Sequence, residues 1–247
     1  MEFDADKDQH ILINDLILKR IIKESELSNK DKIIEIGAGT GVLTKELVKD
    51  SKQVLAFEIN KQFKSDLDKI KEKNLEIIYG NALKYPWWRY DKIISNIPYS
   101  LSEPIVMKAI QENIQFMVLT IGENFKELLE SKETKVGIIA SLFYKIKPII
   151  KVEKESFQPI PRVDSWLVKF EKKKPSPIEK LLFSITKKEG KIKNAILYSL
   201  VELGKTKNQA REIIKQLDIE ETILEKPVKS ITGKFILLLE ERLKKII

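Results

Sequence analysis

The 247 residues of this chain suffice for one large domain, or for one domain with a small partner. The absence of cysteine excludes disulfides and thiolate metal sites, and a single histidine argues against a zinc site or a Ser-His-Asp triad, so we expect no metal. No apolar run approaches about 18 residues and the N-terminus is rich in Asp and Glu, so we expect a cytoplasmic protein with no membrane segment and no signal peptide.

The net positive charge of the chain, +8, is confined to its last third. Residues 1–171 carry 27 basic and 27 acidic side chains, whereas residues 172–247 carry 18 and 10. This asymmetry is typical of a polyanion-binding appendage on a neutral catalytic body. A solvated helical surface would have the same composition, so charge alone leaves both interpretations open.

The order of the predicted elements indicates an α/β fold. A polar arm over residues 1–8 and a helix over 15–22 come before the first strand. Short apolar runs predict strands at 32–36, 53–58, 75–79, 91–95 and 115–120, with helices at 42–48, 60–72 and 103–112. Because near-continuous apolar strands alternate with helices, we expect a mostly parallel sheet that is covered on both faces.

The rest of the chain predicts an antiparallel addition to this sheet and then a helical domain. A helix at 135–145 precedes strands at 147–153 and 163–170, which have no helix between them and therefore predict an antiparallel edge. The lysine- and proline-rich stretch 172–177 is the predicted linker. All later segments predict helices, at 178–187, 191–202, 207–216 and 232–246. We therefore predict a catalytic domain over 1–171 and a helical domain over 178–247.

Three glycines, Gly37, Gly39 and Gly41, follow the first strand and precede a helical pattern. Glycine lets the backbone approach a ligand closely, and the start of the next helix offers free N–H groups. Glu58 ends the second strand 21 residues beyond Gly37, where an acid can bind both hydroxyls of a ribose. The pattern predicts a nucleoside-bearing cofactor, although an ordinary strand-to-helix turn would contain the same glycines.

The spacing of these glycines distinguishes between cofactors. The third glycine follows the second by two residues, whereas the dinucleotide fingerprint requires three. The turn therefore favours S-adenosylmethionine, which has no pyrophosphate, over NAD.

A second candidate site is the stretch Asn96-Ile97-Pro98-Tyr99, which follows the apolar strand at 91–95. Ligands of open α/β sheets bind beyond the carboxyl ends of the strands, so this stretch should lie close to the glycine turn. Asn96 offers a side-chain oxygen, the residue before Pro98 is held extended, and Tyr99 offers a flat face. An exocyclic amine on a base needs such an acceptor and stacking surface. The alternative is a polar turn that ends a strand.

Several stretches occur in the order known from one family. They are Gln9-His10-Ile11-Leu12, Glu35-Ile36-Gly37-Ala38-Gly39, Glu58, Gly80-Asn81-Ala82, Asn96-Ile97-Pro98-Tyr99 and the loop at 157–165. Together they resemble the small-subunit ribosomal RNA adenine dimethyltransferase family. Asn-Ile-Pro-Tyr alone marks amino-methyltransferases of several kinds, and the loop at 157–165 makes the resemblance specific for the ribosomal RNA family.

The resemblance implies a Rossmann-like class I methyltransferase body with a small all-helical C-terminal domain, active as a monomer in ribosome biogenesis. It implies methyl transfer from S-adenosylmethionine to N6 of two adjacent adenosines near the 3′ end of small-subunit ribosomal RNA. The residues implied to bind the cofactor are His10, Leu12, Gly37, Gly39, Glu58, Asn81, Ala82 and Asn96, with Glu58 on the ribose and Asn81 on the adenine. The residues implied to be catalytic are Asn96, Pro98, Tyr99 and Phe157, with Tyr99 and Phe157 on the two faces of the target base.

Two departures from the family pattern keep other functions open. The family usually has Asp at the position of Asn81, and a Gln-Lys-Glu run where this chain has residues 120–123. One alternative is therefore a non-catalytic ribosome-assembly factor that retains the fold. A second is another nucleic-acid adenine-N6 methyltransferase. The loop at 157–165 and the basic last third argue against a small-molecule substrate.

Overall fold

The computed structural model describes residues 10–131 and 133–247, so the polar arm predicted for residues 1–8, and Gln9, lie outside the described residues. The chain divides into two compact units. The first unit consists of residues up to 127 together with 144–172, and the second of 128–143 together with 173–247. Residues 128–143 precede the predicted linker in the chain, yet they belong to the second unit.

The first unit is built on a mixed β-sheet. Its strands in chain order are β1 (Ile11–Leu12), β2 (Lys32–Ile36), β3 (Gln53–Glu58), β4 (Leu75–Tyr79), β5 (Lys92–Asn96), β6 (Phe116–Gly122), β7 (Tyr144–Val152), β8 (Phe157–Gln158) and β9 (Ser165–Lys172). Seven of them form one sheet in the order β4-β3-β2-β5-β6-β9-β7, and β1 pairs with β8. The neighbours from β4 to β6 are parallel, while β9 is antiparallel to both β6 and β7.

This topology confirms the predicted α/β class, with its mostly parallel sheet and its antiparallel addition. The two antiparallel strands do not follow their order in the chain: the later strand β9 lies inside the sheet, and the earlier strand β7 forms its edge. In β7, Lys145 and Lys147 are exposed. Charged side chains on an edge strand oppose its pairing with another sheet.

The central strands are buried on both faces. Ile33 and Ile34 are consecutive residues of β2, so their side chains point to opposite faces, and both are 0% exposed. Burial on both faces is what a parallel sheet covered by helices requires. This burial on both faces explains why the sequences of these strands are almost continuously apolar.

The helices that follow these strands are α1 (Asp15–Glu24), α2 (Val42–Leu47), α3 (Lys64–Leu67), α4 (Ser102–Gln111) and α5 (Glu123–Glu130), of which α5 was not predicted. The helix predicted at 60–72 is shorter in the structure, where a 3₁₀ helix at Lys61–Phe63 continues into α3 and the helical segment ends at Leu67. Phe63 and Leu67 are buried. Their spacing produced the helical pattern, which the sequence extended to residue 72, beyond the end of α3.

The second unit is helical, as predicted for the last third of the chain. Its helices are α6 (Lys135–Phe143), α7 (Pro177–Lys187), α8 (Ile192–Glu202), α9 (Lys207–Gln216), α10 (Glu221–Leu224) and α11 (Gly233–Ile246). Ser176 and Thr206 begin α7 and α9 with complete capping boxes, in which Glu179 and Gln209 return the hydrogen bond. Across the described ranges, no helix is long and apolar enough to cross a membrane.

Helix α6 is an apolar part of this second unit. Seven of its nine residues are buried, and it ends at Phe143 because the next residue begins β7. The ring centroid of Phe143 lies 5.2 Å from that of Phe183 in α7. At the start of α11, the Gly233 N–H donates to the Glu133 carbonyl over 3.0 Å. Cutting the chain at the linker would therefore remove the helices that cover α6.

Candidate active site

A cavity of about 200 Å³ opens at the carboxyl ends of β2, β3, β4 and β5. Open α/β sheets bind their ligands at this edge. All but one of the site residues predicted from the sequence line the cavity, namely His10, Leu12, Gly37, Gly39, Glu58, Asn81, Ala82, Asn96, Pro98 and Tyr99. The structure thus brings together the glycine turn, the acid that ends β3 and the Asn-Ile-Pro-Tyr stretch.

The glycine turn forms one wall of the cavity. Gly37 and Gly39 have φ angles of +82° and +55°, which favour glycine because a Cβ is disfavoured there. The N–H of Gly37 donates to the Phe57 carbonyl over 2.8 Å, which ties the turn to the end of β3. A Cβ on Gly37 would lie 3.4 Å from the Pro98 ring, so the turn also approaches the second candidate stretch closely.

Glu58 is fixed at the end of β3 by two backbone donors. Its carboxylate accepts hydrogen bonds from the N–H of Gly39 over 2.8 Å and from the N–H of Asn60 over 2.7 Å. The side chain is buried, and burial raises the pKa of Glu58, while these hydrogen bonds act in the opposite direction. A carboxylate has about four acceptor positions. Glu58 can therefore hold the glycine turn and still accept hydrogen bonds from a ligand.

Glu35 is a cavity residue whose role was not predicted from the sequence. The available signal was an acid placed between Ile34 and Ile36 in an otherwise apolar strand. The side chain is 1% exposed and accepts a hydrogen bond of 2.6 Å from the Thr44 hydroxyl. Burial raises the pKa of Glu35 to about 8. At pH 7 this carboxyl is therefore mostly neutral.

We expect the stability of the protein to fall as Glu35 loses its proton. The folded pKa, about 8, lies above the ordinary value of 4.5, so the stabilising contribution is complete below the lower value and is lost as the pH rises through the higher one. Glu35→Gln keeps a neutral acceptor for Thr44 and should flatten the decrease of Tm between about pH 5 and pH 8. Glu46→Gln at the surface is the matched control, and it should keep the wild-type slope. Equal slopes for wild type and Glu35→Gln would contradict a buried, protonated Glu35.

Asn96 lines the cavity and carries an unsatisfied acceptor. Its amide nitrogen donates to the His10 carbonyl over 2.9 Å, which orients the side chain. Within the part of the chain that the structure describes, Asn96 Oδ1 is buried and has no hydrogen-bond partner, and the same holds for the hydroxyl of Thr120. Thr120 is the register partner of Asn96 on β6. Buried polar atoms are rarely left unsatisfied, so this oxygen is an acceptor that remains available for a further donor.

Tyr99 is held from several sides. Its hydroxyl lies 2.5 Å from the Ser165 hydroxyl, and its ring stacks against His10 with a centroid separation of 5.7 Å and an interplanar angle of 28°. The backbone of Gly122 at the end of β6 lies against the same ring. The ring is therefore a preorganised surface on the cavity wall.

The pairing of β1 with β8 was not predicted, and it forms one side of the site. Ile11 pairs with Gln158 and Leu12 with Phe157. The Nδ1–H of His10 donates to the Pro159 carbonyl over 2.9 Å. Residues almost 150 positions apart in the chain thus fix His10, whose carbonyl in turn orients Asn96.

Two predicted site residues have structural surroundings that the sequence did not indicate. Phe157 is the predicted residue that does not line the cavity; it is 1% exposed and packs in the core with Leu12 and Ile17. Asn81 lines the cavity, and its Oδ1 accepts the N–H of Leu83 over 2.9 Å, which caps a 3₁₀ turn. Its amide nitrogen can then act as a donor to a ligand.

Comparison with known proteins gives one consistent result. A family model described as "Ribosomal RNA adenine dimethylase" matches residues 2–239. The chain is 35% identical over 230 residues to the "Probable ribosomal RNA small subunit methyltransferase A" of Methanosarcina mazei, across 85% of this chain and 82% of that protein. The protein of the same name from Methanosarcina acetivorans is 37% identical over 181 residues, across 70% of this chain and 66% of that protein. The crystal structure of a dimethyladenosine transferase from Plasmodium falciparum superposes with a TM-score of 0.68 at 26% identity, over 96% of this chain and 99% of that one.

Proposed function

The chain belongs to the ribosomal RNA adenine dimethylase family, and from this premise we propose that it methylates N6 of two adjacent adenosines near the 3′ end of small-subunit ribosomal RNA during ribosome biogenesis. It is a methyltransferase, and its cofactor is S-adenosylmethionine. The observation that carries the proposal is the buried, unsatisfied Oδ1 of Asn96, a residue that lines the same cavity as the glycine turn and Glu58. The cavity thereby combines a nucleoside-binding half with an acceptor for a reacting amine.

The residues of the first half fit the cofactor. Gly37 and Gly39 line the cavity with backbone alone, and an added Cβ would lie 3.4 Å from Pro98 at Gly37 and 2.8 Å from Ile11 at Gly39. Glu58 would accept the two ribose hydroxyls, and Asn81 would bind the adenine through its amide nitrogen. His10, Leu12 and Ala82 would complete the wall around the nucleoside. S-Adenosylmethionine supplies an electrophilic methyl group when it is bound there.

The residues of the second half position the nucleophile. The N6 lone pair of adenine is delocalised into the ring, so the amine must become pyramidal before it can attack. Asn96 Oδ1 would accept one N–H of this amine, and the Pro98 carbonyl the other. The Pro98 carbonyl already accepts the Leu101 N–H over 2.9 Å, but a carbonyl has a second lone pair. Positioning and preorganised dipoles suffice for the transfer, and no strong base is required.

The target adenine must leave its stack to reach the cavity, which costs a few kcal/mol of unstacking. Stacking on Tyr99 would recover about 1–3 kcal/mol. A role for Phe157 on the second face stays a prediction. Its ring, which is 1% exposed, would first have to leave the core beside Leu12.

We expect the helical unit to dock on the RNA, because the excess positive charge lies in residues 172–247. Part of that charge is already engaged in ion pairs. The pairs are Lys188 with Glu202, Lys191 with Glu225 at 2.5 Å, and Lys193 with Glu221 at 2.6 Å. In the described ranges, neither Lys205 nor Lys207 forms an ion pair, and both flank the cap of α9. A helix N-terminus with two lysines suits a phosphate.

We therefore expect Lys205→Glu together with Lys207→Glu, in the complete chain, to weaken binding to the small subunit and to lower its salt slope by about 1–2, because each lost phosphate contact removes about 0.9. Binding would be measured by filter retention at several salt concentrations. The matched control is Lys30→Glu with Lys52→Glu, an equal charge change at exposed positions beside the starts of β2 and β3. Equal losses of binding affinity for both double variants would show that the start of α9 is not the docking element.

The proposed function is tested by incubating the purified, complete chain with labelled cofactor and immature small subunits. We expect label in the RNA, recovered as N6,N6-dimethyladenosine after digestion, and a monomeric enzyme by light scattering. Tight binding to the subunit without any transfer would instead support the non-catalytic assembly factor. Transfer to DNA or to naked unrelated RNA at the same rate would support a different nucleic-acid methyltransferase.

A further inference from the structure

We infer that Gly122 sets the space available to a methylated amine at the acceptor site, and so determines whether a second methyl group follows the first. This inference rests on the proposed function. It concerns a residue that does not line the cavity and acts only through the ring of Tyr99. Gly122 is therefore a specificity-determining, positioning residue.

The Tyr99 ring packs directly on the backbone of Gly122. A Cβ at residue 122 would lie 3.3 Å from Cγ, 3.4 Å from Cδ2 and 3.7 Å from Cδ1 of Tyr99. Nearly equal distances to these three atoms place the added carbon above the ring plane and not at the ring edge. The φ angle of Gly122 lies outside the left-handed region, unlike that of Gly37. The backbone conformation therefore does not require glycine at residue 122. The close contact with the Tyr99 ring is what favours glycine there.

The ring has little freedom to avoid an added Cβ. Its hydroxyl lies 2.5 Å from the Ser165 hydroxyl, and Ser165 is 0% exposed. Ser165 is also the register partner of Gly122 across β9 and β6. Gly122 thus contacts the ring of Tyr99, and Ser165 contacts its hydroxyl. Since a Cβ contact of 3.3 Å requires a displacement of a few tenths of an ångström, the ring must shift away from Gly122. Because the ring also lines the cavity and stacks against His10, a displaced ring changes the space that is left for the proposed base.

The two transfers differ in the size of the nucleophile. In each transfer the N6 lone pair forms a bond to the methyl carbon, the carbon–sulfur bond breaks with its electrons left on sulfur, and one N6 proton passes to water. The first nucleophile is an unsubstituted amine, whereas the second already carries one methyl group. In a tight apolar pocket, one additional carbon changes a rate by about 10–200-fold. A smaller pocket should therefore slow the second transfer more than the first.

Gly122→Ala tests the inference, with the complete chain, S-adenosylmethionine and small subunits that lack the modification. The ratio of N6-methyladenosine to N6,N6-dimethyladenosine is followed over time by mass spectrometry of digested RNA. We expect the second transfer to slow by about 10-fold or more relative to the first, which is the lower end of the range of rate changes caused by one additional carbon. The monomethyl product should then accumulate. Ile196→Val, a buried change in α8, controls for a general loss of stability and should keep the wild-type ratio.

Tyr99→Phe is the second variant and decides the matter if Gly122→Ala does not fold. It removes the hydroxyl contact to Ser165, so the ring can move aside for a methylated amine. Relative to the wild type, the rate of the second transfer should therefore fall less than the rate of the first. Folded variants that both keep the wild-type ratio would overturn the inference while the proposed function stands. A wild-type protein that transfers no methyl group to the RNA would overturn the proposed function, and this inference with it.

Discussion

Asn96→Ala is expected to lower the rate of methyl transfer by about 10²–10³-fold, the usual effect of deleting one preorganised partner of a reacting group. The substitution removes the buried Oδ1 that is unsatisfied in the described structure and that would accept an N–H of the target amine. The rate is measured in single turnovers at saturating cofactor, so that a weaker contact to the cofactor does not enter the result. The fold should persist, because among the described residues the side-chain hydrogen bond lost with it is the one from Asn96 to the His10 carbonyl.

The matched control for this prediction is Asn124→Ala. Asn124 is exposed on α5 and does not line the cavity, so its loss should leave the rate unchanged. Circular dichroism and the Tm of both variants exclude unfolding as the cause of a lower rate. If Asn96→Ala transfers methyl groups at the wild-type rate, the acceptor role of Asn96 is wrong.

Glu58→Ala is expected to weaken the binding of S-adenosylmethionine by about 10–100-fold, since hydrogen bonds to a charged group are lost. The structure adds a second consequence. The N–H groups of Gly39 and Asn60 both donate to this carboxylate, and without it they lose their partners. An unsatisfied buried donor costs about 1–3 kcal/mol, so the Tm should fall as well. Titration calorimetry measures the affinity.

The control for Glu58 is Glu46→Ala, which removes a carboxylate that pairs with Lys49 over 2.7 Å at the surface of α2. Such a pair contributes about 0–1 kcal/mol, so neither affinity nor Tm should change measurably. Glu58→Gln keeps one carbonyl acceptor and should give an intermediate affinity. Unchanged cofactor affinity in Glu58→Ala, with the fold intact, would remove Glu58 from the site.

Local pattern in the sequence determined the class of the fold and most of the cavity wall. Apolar runs such as the one that forms β2 identify strands because both faces of a parallel strand are buried. The glycine turn and Asn96 follow such strands directly, and the carboxyl ends of parallel strands meet at one edge. Position along the chain therefore sufficed to predict that Gly37, Glu58 and Asn96 lie together. Amphipathic spacing located the helical segment around α3 but not its end, which the sequence placed at residue 72 and the structure places at Leu67.

Only the tertiary structure decided the features that depend on partners far apart in the chain. The contact of His10 with Pro159, the insertion of β9 between β6 and β7, and the membership of α6 in the second unit have no local signature. Whether an aromatic side chain faces a ligand or the core is likewise a matter of packing, and for this reason Phe157 lies beside Leu12 while Tyr99 lines the cavity. The amide orientation of Asn96 follows from the His10 carbonyl. Sequence spacing identifies which residues reach the site, whereas contacts between distant segments determine which of their atoms remain available to a ligand.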